Sequence, residues 1–116
     1  MHELQVTQDI LQTVLDYASR NDVKKILRIS LLVGELNDFQ QDWVQRYFDR
    51  VSKASIAEGA EITLEKVPTA FRCRDCGRDF EVEVSLTDRV RCPHCGGADF
   101  SLLRGRELLI RDMEVE

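Results

Sequence analysis

The chain is short of most residue types that announce an enzyme or a membrane protein. Its 116 residues hold only two histidines, two prolines and six glycines. No Ser/His/Asp set, phosphate-binding glycine loop or open metal site stands out, which argues against a catalyst. No apolar run approaches the roughly 18 residues needed to cross a bilayer. Met1-His2-Glu3-Leu4 leads into no basic start and apolar stretch of a secretory signal, so the chain reads as cytoplasmic. Disulfides rarely persist in that compartment. The overall composition, 43% hydrophobic and 32% charged with a net charge of −5, excludes a disordered chain and suits one small soluble domain. A core of that size gains from a local staple.

Hydrophobic spacing divides the chain. Leu4, Leu11, Val14, Leu15 and Ala18 recur at helical steps, predicting an amphipathic helix over residues 4 to 20. From Lys24 to Val33 the apolar residues Leu27, Ile29, Leu31 and Val33 alternate with Arg28 and Ser30, as in a strand with one buried face. Trp43, Val44, Tyr47, Phe48, Val51 and Ala54 predict a second helix, ended by Gly59. Glu61 to Val67 alternates again until Pro68 stops the ladder. Residues 70 to 106 then differ in kind: seven arginines, no lysine and six acids, with all four cysteines and a strand-like alternation at Phe80 to Val84. After Gly105, Leu108, Leu109, Ile110, Met113 and Val115 restore strand character. The expected fold is α+β, an α/β sandwich of two helices on a small three-stranded sheet, with an inserted all-β four-cysteine zinc module. Its domains would be 1–69 plus 105–116, and 70–104.

The cysteines carry the strongest motif. Cys73-Arg74-Asp75-Cys76 and Cys92-Pro93-His94-Cys95 are two C-x-x-C pairs fifteen residues apart. That spacing lets each pair reach one ion at about 2.3 Å and the two pairs complete a tetrahedron, as in a structural zinc site. Gly77 and Gly96 follow the pairs and permit the positive φ that a tight knuckle needs. The alternatives are two disulfides, disfavoured in the cytoplasm, or a redox pair, disfavoured by the duplication and the missing βαβ setting. Four thiolates leave no place for a catalytic water. His94, inside its own pair, is expected to face solvent.

His2 is the other histidine. With Met1 kept, the terminal amine, the His2 amide and its imidazole form a planar nitrogen set suited to Ni(II) or Cu(II), beside the Glu3 carboxylate. Because the amine titrates near pH 8, binding would displace protons and weaken as pH falls. Judged by spacing alone, an ordinary histidine on a frayed end is the stronger reading.

Met1-His2-Glu3, Val33-Gly34-Glu35-Leu36, Ala57-Glu58-Gly59-Ala60, the paired C-x-x-C motifs, Gly105-Arg106-Glu107-Leu108 and Met113-Glu114-Val115 together resemble the HypA/HybF family of hydrogenase nickel-insertion (maturation) proteins. The resemblance implies a nickel metallochaperone, with Ni(II) as transient cargo at Met1, His2 and Glu3 and structural Zn(II) on Cys73, Cys76, Cys92 and Cys95. The implied partners are the nickel-handling GTPase of the pathway and the precursor of a [NiFe]-hydrogenase large subunit. The implied carrier is a monomer or homodimer. Asn37 to Asp42 depart from the serine, small residues and proline that commonly follow this Gly-Glu-Leu in the family, so Asp38 is at most a weak ligand candidate, and its plainer role is to cap the Trp43 helix.

The competing readings are a zinc ribbon that binds nucleic acid and a zinc-stabilised adaptor without nickel chemistry. Seven arginines and three possible stacking rings, Phe71, Phe80 and Phe100, favour the ribbon. Interleaved acids and a chain charge of −5 oppose it, since phosphate binding draws on a coherent basic patch.

Overall fold

The computed structural model describes residues 3 to 83 and 90 to 116, the side chain of Glu3 apart. Its elements are α1 (Glu3–Arg20), β1 (Ile26–Gly34), α2 (Gln41–Val51), β2 (Glu61–Val67), β3 (Thr69–Cys73), β4 (Asp79–Val82), β5 (Phe100–Arg104) and β6 (Leu108–Val115). Two three-stranded sheets result, ordered β2-β1-β6 and β4-β3-β5. The fold is the expected mixture of two helices, a small sheet and an all-β module. The chain leaves the first sheet after β2 and returns to it with β6. Among the described residues no helix is long and apolar enough to cross a membrane. Val84, at the end of the predicted alternation, lies outside the described residues, as do Met1 and His2.

Hydrogen bonding sets the strand directions. Lys25 and Glu116 exchange backbone bonds of 3.3 and 2.8 Å, and the Gly34 N–H donates to Glu107 O at 2.9 Å, so β6 runs antiparallel to β1. Arg28 pairs with Glu61 and Ser30 with Thr63, an in-step progression that marks β2 as parallel to β1. A parallel neighbour requires a crossover, and α2 supplies it.

By compactness the chain forms two units. One takes in Asp38–Glu65 and Leu109–Glu116 with the chain up to Leu32; the other joins Val33–Asn37 to Lys66–Leu108. In the first, the core draws on Ile10, Val14, Ile29, Leu31, Val44, Phe48 and Ile62, each at most 5% exposed. The α2 helix is held to β2 by Gln45, whose amide donates to Ala60 O at 3.0 Å and accepts from the Ile62 N–H at 2.7 Å.

Several details differ from the expectations. The buried stripe of α1 is Val6, Thr7, Ile10, Val14 and Ala18, whereas Leu4 is 40% exposed. At 100° per residue the centre of that stripe lies about a quarter turn from Leu4. Thr7 can be buried because its hydroxyl donates to Leu4 O at 2.8 Å. The second helix stops at Val51 rather than continuing toward Gly59; Ser52 closes it by donating to Phe48 O, and Ala54 turns to φ +65°. Only Val44 and Phe48 of that helix are buried, and Trp43 is half exposed. Asp38 does not cap it: the N-cap is Gln40, without a side-chain hydrogen bond. The departure at residues 37 to 39 has two structural uses. Asn37 Nδ2 donates to Arg106 O and Glu107 O at 3.0 and 2.9 Å, while Phe39 is buried in the first unit.

Candidate metal centre

The β3 strand pairs antiparallel with β4 and β5, placing Phe71 against Phe80 and Leu102 and setting Cys73 opposite Phe100. From the end of β3 the backbone folds into a knuckle. The Gly77 N–H donates to Cys73 O at 2.9 Å and the Cys73 N–H to Arg78 O at 2.9 Å. The same bonds recur nineteen residues later: Gly96 N–H to Cys92 O at 2.7 Å and Cys92 N–H to Gly97 O at 2.9 Å. Gly77 and Gly96 stand at φ +77° and +75°, the left-handed region in which a glycine avoids the Cβ penalty. The two knuckles therefore copy one another in backbone.

This arrangement brings four sulfurs together, all within 4.8 Å of one another. Cys73 Sγ lies 3.6 Å from Cys95 Sγ, and Cys76 Sγ lies 3.6 Å from Cys92 Sγ. A disulfide would need about 2.05 Å, so these are free thiols. Zinc at about 2.3 Å from each sulfur requires tetrahedral edges of about 3.8 Å, which the cluster fits. Each knuckle contributes one buried and one exposed cysteine, Cys73 and Cys92 inside and Cys76 and Cys95 outside. His94 is exposed and stands apart from the four-sulfur group. Among the described residues no second group of three metal-ligating side chains converges.

The thiols ionise in sequence. Burial works against ionisation at Cys92, but the His94 and Cys95 backbone N–H groups and the Cys76 and Cys73 thiols outweigh it and bring Cys92 down to about 7. At Cys95 the Gly97 N–H favours the thiolate, yet the Cys73 thiol, burial and the other two cysteines push it up to about 12. Cys76 is also raised: the Arg78 backbone N–H favours its thiolate and is overcome by burial and by the Cys92 and Cys73 thiols. Four negative charges do not fit this space unaided. A divalent cation would supply the missing charge.

The module has a small core of its own. Cys73, Phe80 and Cys92 are buried, with Phe71, Val82, Val90 and Phe100 packed against them. The three phenylalanines form a closed set, with centroid separations of 5.9, 4.9 and 5.7 Å. They are packed against each other rather than presented as a stacking platform. Three of the seven arginines are tied up as well, Arg72 with Asp79, Arg74 with Asp99 and Arg104 with Glu81. The three rings and three of the arginines that motivated the nucleic-acid reading thus have structural uses.

Two supports were not evident from the motif. Arg74 bridges the knuckles to the start of β5, its N–H donating to Asp99 O at 2.8 Å and its guanidinium to Asp99 Oδ1 at 3.1 Å. Gly97 lies so near the second knuckle that a Cβ there would stand 3.2 Å from Cys95 Sγ and press on the Asp75 carboxylate. The signal available in the sequence was the doubled glycine after Cys95, where Cys76 is followed by one. Of the proposed nickel ligands, Glu3 opens α1, and Met1 and His2 precede the described residues. The quoted Gly34-Glu35-Leu36 and Gly105-Arg106-Glu107 segments meet in the second unit, where Leu36 N–H donates to Gly105 O at 2.8 Å and Gly105 N–H to Glu107 Oε1 at 2.6 Å.

Comparison with known proteins agrees along the whole length. The chain is similar to the hydrogenase maturation factor HypA of Pyrococcus abyssi, 34% identical and covering 100% of this chain and 96% of that protein. The hydrogenase maturation factor HypA of Caldanaerobacter subterraneus subsp. tengcongensis is 37% identical, with both chains covered completely. In fold, it resembles the solution structure of the Ni metallochaperone HypA from Helicobacter pylori at a TM-score of 0.71, with 21% identity over 99% of this chain and 97% of the other. A second solution structure of a HypA protein superposes at a TM-score of 0.76, with 20% identity over 100% and 97%. The family model for hydrogenase/urease nickel incorporation matches residues 1–115. Nickel and structural zinc are the metals of that family, and the chain belongs to it: a HypA metallochaperone rather than an enzyme.

Proposed function

We propose that this protein captures Ni(II) at its N-terminus and delivers it to the precursor of a [NiFe]-hydrogenase large subunit. The Met1 amine, the His2 amide and imidazole, and the Glu3 carboxylate are the proposed nickel ligands; Cys73, Cys76, Cys92 and Cys95 are the proposed zinc ligands. Residues 1–69 with 105–116 form the nickel-binding domain and 70–104 the zinc-binding domain. Delivery takes place in the cytoplasm with a nickel-handling GTPase as partner.

The observation that supports this reading best is the family match, which begins at residue 1 and so takes in the Met1-His2-Glu3 terminus. The relatives named as hydrogenase maturation factors favour hydrogenase as the recipient. The chemistry is that of a carrier. A terminal chelate of few ligands takes up a cation and also surrenders it, because affinity follows ligand number and protonation. Zinc in a closed four-thiolate site does no such exchange and holds the module together.

The test is a Ni(II) titration of tag-free protein, of His2→Ala and of a variant carrying two extra N-terminal residues, with zinc content checked in each. The parent is expected to bind one tight nickel and both variants to lose it while retaining zinc. Equal nickel binding by all three would place the site elsewhere.

A further inference from the structure

The α2 helix exposes a ridge with no function in the reading above. Trp43 lies three and four residues before Arg46 and Tyr47, and Arg50 four and three after them, so all four share one face away from the buried Val44 and Phe48. Trp43 is 48% exposed, stacks on Tyr47 at 5.8 Å and carries the Arg46 guanidinium 5.2 Å over its ring. The other arginines of this unit all engage acids: Arg20 with Asp16, Arg28 with Glu61 and Glu114, Arg111 with Glu65 and Asp112. Among the described contacts, Arg46 and Arg50 engage none. Asp42 stands one turn before Arg46, yet the guanidinium lies on the indole instead. Asp49, one turn after Arg46, accepts from Gln45 Nε2 at 2.8 Å instead.

We propose that this ridge is a docking surface for an acidic, apolar-faced segment of a partner protein. Two guanidinium groups without an acid partner, beside a half-exposed indole, complement carboxylates set next to aliphatic side chains, a local match against the chain's overall charge of −5. Tryptophan, tyrosine and arginine are the residue types that dominate protein contact energies, and the two aromatics give large rigid faces with few rotamers to freeze. Arg46 is already held on the ring, so its ordering is largely complete before a partner arrives. Nucleic acid is a poorer fit, because a phosphate backbone asks for a continuous basic track and the ridge offers two cations. The proposal rests on the delivery reading only in that a carrier must meet other proteins; its test involves no nickel.

Trp43 is the sole tryptophan, so its emission reports on the ridge directly. The probe is a capped 15-residue helical peptide with leucine on one face and glutamate elsewhere, compared with the same peptide carrying lysine for glutamate. The acidic peptide is expected to give a saturable blue shift that weakens with added salt. The lysine peptide should give none, and the Arg46→Gln/Arg50→Gln double variant at least a ten-fold loss of affinity, with its urea midpoint and far-ultraviolet circular dichroism equal to the parent's. Equal response to both peptides, or no loss in the double variant, overturns the proposal. So does a Trp43 shift that follows protein concentration without peptide, which makes a second copy the occupant, or an equal shift with mixed-sequence RNA.

Discussion

Replacing Gly34 with alanine is expected to be the most damaging single-methyl change in this protein. Gly34 closes β1 where the chain enters the second unit, and a Cβ there would stand 2.5 Å from the Arg106 nitrogen and nearer still to the carbonyl carbon and oxygen of Gly105. All three are backbone atoms, so no side chain can rotate away. Relief requires the two segments to separate by about 1 Å, well beyond what close-packed neighbours absorb. That movement breaks the bonds from Gly34 N–H to Glu107 O and from Leu36 N–H to Gly105 O, and it strains those from Asn37 to Arg106 and Glu107. At about 1 kcal/mol for each lost bond and about 1 to 3 kcal/mol for overpacking, the loss is about 3 to 5 kcal/mol. Gly59→Ala is the internal control: it has open space and only a positive φ of +82° to oppose it, worth about 1 kcal/mol. The assay is urea unfolding of zinc-loaded protein, with amide exchange read at Leu36. If Gly34→Ala destabilises no more than Gly59→Ala and leaves the Leu36 amide protected, the steric argument is wrong.

Other outcomes follow from the same structure. Cys73→Ser removes a buried ligand, and zinc affinity should fall by more than the about 10- to 100-fold that loss of an outer-shell partner produces, as read by chelator competition. Zinc affinity should rise with pH, since the bound state needs thiolates. Its slope should ease above the Cys92 value of about 7, where that proton has already left, while Cys76 and Cys95, both raised, still give up theirs to the metal. Calorimetry in buffers of different ionisation enthalpy counts those protons, and a release that does not change across pH 7 would contradict the ordering. Phe48→Ala empties a fully buried position in the first unit and should cost about 3 to 5 kcal/mol by denaturation, with zinc content unchanged.

Much of this was legible beforehand, for identifiable reasons. From Ile29 to Val33 β1 alternates as expected, because the pleat fixes which face each side chain takes, although at its start Ile26 is buried and Leu27 only half-buried. The metal centre was legible because C-x-x-C spacing is a local geometric requirement, met within one turn of chain. Helix faces were less so. Several apolar sets on α1 satisfy a 3.6-residue period, and the choice of Thr7 and Ile10 over Leu4 was made by what packs opposite. The end of α2 was misjudged because the apolar spacing continued through Ala54, while the backbone there turned to positive φ.

The sequence by itself determined the two helices, the strand alternation, the four-sulfur set and the family, all of which depend on short-range spacing or on the order of motifs along the chain. Only the tertiary structure decided that Gly34-Glu35-Leu36 and Gly105-Arg106-Glu107 are hydrogen-bonded across some seventy residues, that three phenylalanines close on one another, and that Arg46 lies on Trp43 rather than on an acid. Those outcomes depend on which surfaces remain after every other element has been placed. Local propensity carries no record of that.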